Sequence, residues 1–558
     1  MNVFVLDNSL RESTVGQPIG HTLADKFKIL DATKQCGFNH QVAGAFSTGQ
    51  RVDDAFSLEL KKAAQERPDS VFYAFSEVYL DIQNRCIATG ENHIPVGLQK
   101  MKAYGIPNAI IEIDIANDAF DWDGSFPVSK LIEHLTFLFK WSHENLSSPT
   151  GVEKRMIFVN IRDFPVAMLK CPERLLEVVK GISKIPAPYR PAGLMEEEPI
   201  GEYFPDEVAA MVKAVRDTMD QNGWPSLFQQ NGSLDGLLLS HVHEQWGLAD
   251  AVALDSLAAG ADGLWCSICQ EGAAMGHASS CVTLMNLVRL GNKDILSRYN
   301  PRNFLDAARK VTKITTNKKV ASRQLVYGPR AIESVFGFSG IAGGTKDDSF
   351  YVDGNGVIND VDRFSLAEFF GLNDPPVRIS TLSSPALVVR RLKQCFGDDA
   401  DFTEEIASKM LDYMKQELIH NYKAEHTSST GLAMLWRSVT GTLKPSMLEV
   451  SNEMDDDLSI RNLADQQGID TSSRRPQKLM QSQVKHDRKC FRHTHINNLR
   501  KHHLRATYLT SQKIPPQPLK LTSHTRRVYY PRNARGYPRS TVQRPFHLTH
   551  ILNHSILT

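Results

Sequence analysis

No stretch of this 558-residue chain approaches the roughly 20 consecutive apolar residues that a membrane-crossing helix needs, so no helical span is expected. Cysteine is sparse. Eight are scattered without a framework of spacings, which points to reduced thiols in an intracellular protein rather than a disulfide-stapled secreted one. One C-x-x-C occurs, Cys266-Ser267-Ile268-Cys269, but no second pair accompanies it to complete a zinc site, and it reads as packing within a strand. The first apolar run begins at Val3, leaving no room for a targeting segment, so the expected location is cytoplasmic. Net charge is nearly absent too, at +1. That sum hides a split: beyond Asp470 the only acid is Asp487, while Lys, Arg and His are abundant. The body is therefore net acidic and the tail strongly basic.

The composition that remains, 41% hydrophobic and 23% charged, is that of a globular chain long enough for two or three domains. Strand and helix patterns alternate from the start. Val3 to Leu6 is β-rich, Thr22 to Leu30 has helical apolar spacing, and Phe38 to Phe46 reads as a second strand. Strands are further expected at Ser70 to Phe75, Ala109 to Ile115, Arg155 to Ile161 and Leu234 to Leu239. Helices are expected at Val96 to Tyr104, Lys130 to Trp141, from Pro205, and from Ala249 to Ala261. Alternation sustained over about 250 residues predicts an α/β fold, a (β/α)8 TIM barrel. The expected domains are a barrel over 1–300, a linker and mainly helical domain over 301–445, and a disordered basic tail over 446–558. Ser383 to Phe396 and Thr403 to His420 read as helices of a lid or dimerisation domain. The tail interleaves basic residues with Tyr508, Tyr529, Tyr530 and Tyr537. That pattern could serve nucleic acid or an anionic surface, although a solvated extension is the favoured reading.

Two stretches carry the chemistry. In Ser240-His241-Val242-His243, two histidines one residue apart on a strand face the same way, so both imidazoles can reach one metal ion. A pair of histidines merely satisfied at a strand end is the competing reading. The second stretch is Asp7-Asn8-Ser9-Leu10-Arg11-Glu12, a charged turn directly after the first strand. A first strand ending in Asp-x-x-Leu-Arg-Glu, followed much later by His-x-His at a strand–helix turn, resembles the DRE-TIM metallolyases, the pyruvate-carboxyltransferase or HMG-CoA-lyase-like barrels.

The resemblance implies a divalent metal (Mn2+, Zn2+, Co2+ or Mg2+) held by Glu12, His241 and His243. Arg11 would stabilise an enolate oxygen. His277 stands where the family has an asparagine near the metal and is a candidate third imidazole. Glu244 is a candidate base, and Glu198 and Cys269 are candidates for substrate contact. The implied reaction is a Claisen-type condensation of an acyl-CoA such as acetyl-CoA with a 2-oxo acid, as in isopropylmalate or homocitrate synthases, in a homodimer. The alternatives are an HMG-CoA-lyase-like or aldolase-type carbon–carbon lyase, and a metal-binding but catalytically silent scaffold. The chain departs from the family pattern at several places. Pro199 replaces a threonine that contacts substrate carboxylate, Gln245 replaces an aspartate, and Ala342 replaces a post-barrel histidine. In the segment from Glu198 to Val208 the glycine, proline and Glu-Val frame is kept as Gly201, Pro205, Glu207 and Val208.

Overall fold

A computed structural model describes residues 1–11, 19–62, 69–148, 156–270, 272, 275–333, 366–371 and 376–448. The expected basic tail, Glu12 and Ala342 lie outside the described residues. Eight parallel strands close into a barrel: β1 (Phe4–Asp7), β2 (His40–Ala45), β3 (Val71–Glu77), β4 (Asn108–Asp114), β5 (Phe158–Arg162), β6 (Gly193–Glu198), β7 (Leu237–Val242) and β8 (Gly263–Cys266). Each pairs with its sequence neighbour, and β8 returns to β1. A helix follows every strand: α1 (Leu23–Gln35), α2 (Val52–Lys62), α3 (Val96–Tyr104), α4 (Val128–Asn145), α5 (Pro172–Ser183), α6 (Pro205–Gln221), α7 (Ala249–Ala258) and α8 (Ser280–Arg289). This is the expected TIM barrel, and its C-terminal face is where such folds carry their chemistry.

Local chemistry explains the elements. Thr22 and Asp25 cap α1 reciprocally, satisfying amides that the first turn leaves without partners. Helix α5 buries Leu175, Val178, Val179 and Ile182 along one stripe, the 3.6-residue period of a helix lying on a sheet. The strand expected at Leu234 to Leu239 lies instead at Leu237–Val242. The apolar run misled by three residues because the buried strand continues through Ser240 and His241, whose polar side chains are enclosed. The Ala249–Ala258 helix ends short of the expected Ala261, and Asp262 begins the return to β8, its backbone amide bonded to Leu238 O (2.7 Å).

Inside the barrel the two-residue alternation of each strand divides the filling into layers. Phe4, Tyr73, Ile110, Phe158, Met195 and Leu239 make an apolar floor. One step further along the same faces come Glu112, Asn160, Glu197 and His241. The floor is apolar, and the layer above it is polar.

Past the barrel, α9 (Phe304–Thr316) packs on the outer layer. Helices α10 (Pro385–Phe396), α11 (Glu404–Ile419) and α12 (Ser429–Thr440) then enclose a core of their own around Val388, Leu392, Met410 and Trp436. Among the described residues no helix is long and apolar enough to cross a membrane.

The seam between β1 and β2 is thin, with one residue pair in register, Asp7 with Gln41. Tyr299 supplies part of what a fuller ladder would. Its buried hydroxyl donates to Val3 O (2.8 Å) and accepts from Val5 N (3.0 Å). Tyr299→Phe should therefore leave two enclosed backbone groups without this partner and cost about 1–3 kcal/mol. Chemical denaturation would show this as a lower midpoint at unchanged slope, and an unchanged midpoint would refute the role.

Candidate metal centre

Strand β7 presents His241 to the barrel interior, and the chain leaving it presents His243. His277 arrives from the loop after β8, laid antiparallel against His243 by a single β-bridge. The three imidazoles are buried, and one nitrogen of each lies within 4.8 Å of the others. Three metal–nitrogen bonds of about 2.1 Å could close that spacing with a small inward turn of the rings.

The tautomer of His241 follows from its neighbours. Asn160 Nδ2 lies 2.6 Å from Glu197 Oε2 and 3.1 Å from Glu112 Oε2. A carboxylate accepts, so the amide nitrogen faces the acids and Asn160 Oδ1 faces His241 Nδ1 at 3.2 Å. His241 must then donate from Nδ1, which leaves the lone pair on Nε2. That Nε2 is buried and has no hydrogen-bond partner among the described residues. Burial, with the His243, His277 and Arg11 charges added to it, holds the ring well below its usual pKa and therefore neutral. A buried, neutral imidazole with a free lone pair beside two other imidazoles fits a divalent cation. The bland reading of two histidines satisfied at a strand end does not account for Nε2.

Backbone geometry holds the three histidines together. Gly201 has φ +71°, and a Cβ there would meet His243 O at 2.4 Å, so the turn after β6 presses on the chain carrying His243. Gly272 has φ +139°, and a Cβ there would come within 2.0 Å of the His277 ring. Both positions combine left-handed backbone with a close approach that only glycine permits. Asp250, on the first turn of α7, accepts from Ser279 N and Thr283 Oγ1, both at 2.9 Å, and so ties the loop bearing His277 to its neighbour.

Arg11 comes from the other side. Its guanidinium carbon stands 4.7 Å from the Phe75 ring centroid and 5.8 Å from that of Trp265. Trp265 in turn lies against His241, with centroids 3.6 Å apart. The turn carrying Arg11 is anchored by Lys26, whose ammonium donates to the carbonyl of Leu10 and pairs with Asp53 at 2.6 Å, both side chains fully enclosed.

Three successive acids on β6 have three different surroundings. Glu196 faces the packing layer, where burial raises its pKa well above normal. Glu197 faces the barrel interior, 3.9 Å from His243. Burial, with Glu112 nearby, pushes its pKa up to about 7. Glu198 bends over the following turn and accepts from Ile200 N at 3.3 Å. Glu244 likewise accepts from Ala249 N (2.8 Å), satisfying an amide of the first turn of α7. The Cys269 thiol donates to Ala308 O (3.4 Å) and accepts from Thr312 Oγ1 (3.3 Å), in the layer between barrel and α9. The structure therefore gathers Arg11, His241, His243 and His277, engages Glu198 and Glu244 with backbone amides, and turns Cys269 away.

Sequence reasoning missed Asn160, Glu112, Glu197 and Trp265. The run Glu196-Glu197-Glu198 at the end of a buried strand was the available signal, since alternation sends one of three adjacent acids inward. On the far side of the mouth a hollow of about 180 Å³ opens between the end of β4 and the hairpin Leu80–Asp81/Cys86–Ile87, sharing Glu112 and Arg162 with the centre.

No protein-family model matches the chain, and no curated protein does. Among solved structures it is similar to hydroxymethylglutaryl-CoA lyase from Pseudomonas aeruginosa, at 15% identity and a TM-score of 0.42 over 57% of this chain and 95% of that one. An HMG-CoA lyase from Acinetobacter baumannii, in complex with coenzyme A and 3-methylmalate, matches at 12% identity and a TM-score of 0.39 over 56% and 91%. The Bacillus subtilis HMG-CoA lyase matches at 15% and 0.41 over 58% and 96%.

Because Asn160 sets the tautomer of His241, Asn160→Leu should weaken Co2+ or Zn2+ binding about 10–100-fold. Gly272→Ala, which displaces the His277 ring, should weaken it similarly, and His241→Ala should abolish it. Calorimetric titration of the folded variants measures all three. Wild-type affinity in Asn160→Leu would overturn the assignment of the free lone pair.

Proposed function

We propose that this barrel is a divalent-metal-dependent enzyme that cleaves a carbon–carbon bond next to a carbonyl in a hydroxy or 2-oxo acid, through an enolate. The observation that carries the proposal is the buried trio His241, His243 and His277, with the free Nε2 of His241 facing two other imidazoles and Arg11 brought in beside Trp265. A nitrogen-rich donor set favours Zn2+, Co2+ or Mn2+ over Mg2+. Glu12, one residue after Arg11, is proposed as an additional oxygen ligand.

When bound, such an ion supplies Lewis-acid polarisation of the substrate's carbonyl and hydroxyl oxygens. The residues of the chain do the rest. Glu197, held near pKa 7, takes the hydroxyl proton. As that O–H bond becomes a new carbonyl, the adjacent carbon–carbon bond breaks, and its electron pair becomes the enolate of the departing 2-oxo acid or thioester. Arg11 meets the developing enolate oxygen with a planar fork of donors that carries its charge at any working pH. The enclosed site strengthens that interaction relative to water. Asn160 keeps His241 oriented and neutral throughout, and the proton taken by Glu197 passes to the enolate carbon, which completes the balance and restores the base. The condensing direction runs through the same enolate. The segment from Leu325 to Gly344, which resembles the post-barrel linker of the condensing branch, is described only as far as Glu333.

The test is release of a 2-oxo acid or acyl thioester from 4-hydroxy-2-oxo acids and 3-hydroxyacyl thioesters with Mn2+, Co2+ or Zn2+. Arg11→Ala should lower kcat about 10²–10³-fold, and His241→Ala should abolish turnover. The base must be ionised, so kcat/KM should rise with pH and level off at or below about 7, because a bound dication lowers a carboxylate's pKa. Glu197→Gln should remove that limb. A protein that binds metal but cleaves no substrate with any of these ions would be a silent barrel, and the proposal would fail.

A further inference from the structure

Resting on that reading, we infer that the substrate carries an uncharged apolar chain, seated on the rim formed by the loops after β6, β7 and β8. Four large apolar side chains stand out on these loops: Trp246 is 67% exposed, Phe204 63%, Met275 62% and Ile200 46%. An exposed apolar group on a scattered surface needs no explanation, but a contiguous patch does. These loops are contiguous. Gly201 presses on the backbone of His243 and Gln245, and Glu244 N donates to Gly276 O at 2.9 Å. Ile200, Trp246 and Met275 each lie within two residues of one of those contacts. Trp246 and Met275 are also three and two residues from His243 and His277.

Two observations choose the occupant. The patch rims the mouth through which any substrate reaches the histidines, so a protein bound there would close the centre it borders. The loops after these three strands also contain no Lys or Arg between 199 and 205, 243 and 249, or 267 and 279, whereas they hold Glu202, Glu244 and Glu271. On these three loops a phosphate-bearing handle such as that of a nucleotide-linked thioester finds no Lys or Arg, and an alkyl or aryl chain finds the four exposed apolar side chains. The acid end of the same molecule would meet the histidines and Arg11.

The experiment uses the Mn2+-loaded full chain and a homologous series of 2-oxo acids from pyruvate to 2-oxooctanoate, with Kd from calorimetry. Each added methylene should tighten binding about two- to fourfold until the chain overruns the rim. Trp246→Ser and Met275→Ser, both at exposed positions, should each flatten that gradient while Mn2+ affinity stays at the wild-type value. Equal affinity for pyruvate and 2-oxooctanoate, or a gradient that survives both substitutions, overturns the inference and leaves the proposed chemistry standing. Failure of the protein to bind Mn2+, or of pyruvate to require it, overturns the proposed function and the inference with it.

Discussion

The amide of Asn160 is the hinge of this centre. An asparagine offers two donors and an acceptor in a fixed plane, and here both donors are claimed by acids, Glu112 on one neighbouring strand and Glu197 on the other. Strand register makes the arrangement possible: Glu112 lies opposite Asn160, and Glu197 lies opposite His241. Four side chains on four consecutive strands are thereby joined into one chain of hydrogen bonds whose last member is a neutral imidazole with a lone pair to offer. The apolar floor beneath it supplies the low dielectric that makes each of those bonds consequential.

What the barrel adds is convergence. The three histidines come from strand β7, the chain leaving it and the loop after β8, and short-range steric facts hold these segments together. Glycine is required at 201 and 272 because any side chain there would strike His243's backbone or His277's ring. Glu244 and Asp250 satisfy amides at the starts of α7 and α8. Glu244, a candidate base in the sequence, and Asp250, which the sequence does not single out, thus fix the loops, and the acid next to the histidines is one that alternation along β6 turns inward.

The legible and illegible parts of this chain divide along that line. The barrel could be read because strand and helix periods are properties of single segments, and the helix at Val96–Tyr104 falls where its spacing puts it. His241, His243 and Arg11 could be picked out as candidates because their residue types and local spacing are distinctive. Asn160 could not, since nothing within five residues of it marks an asparagine that matters. Its role exists only across strands, in contacts with residues 48, 37 and 81 positions away. The surroundings of Cys269 were hidden for the same reason, because the packing of α9 that captures its thiol is a contact across the fold.

Arginine is unevenly placed around the mouth, and that placement bears on how a bound molecule lies. Arg11 and Arg162 belong to the loops and strand ends of β1 and β5, whereas the loops after β6 to β8 carry acids, histidines, amides and apolar groups but no Lys or Arg. Arg162 lies 3.5 Å from Glu112 and 3.8 Å from Asp163, and Arg11 stands over the Phe75 and Trp265 rings with its charge felt by Glu112 and Glu197. A carboxylate entering such a mouth is drawn toward Arg11 and repelled from the β6–β8 rim, because opposite charges attract and like charges repel across a low-dielectric wall. The same field that orients the acid end toward the histidines leaves the uncharged remainder of the molecule over Trp246 and Met275.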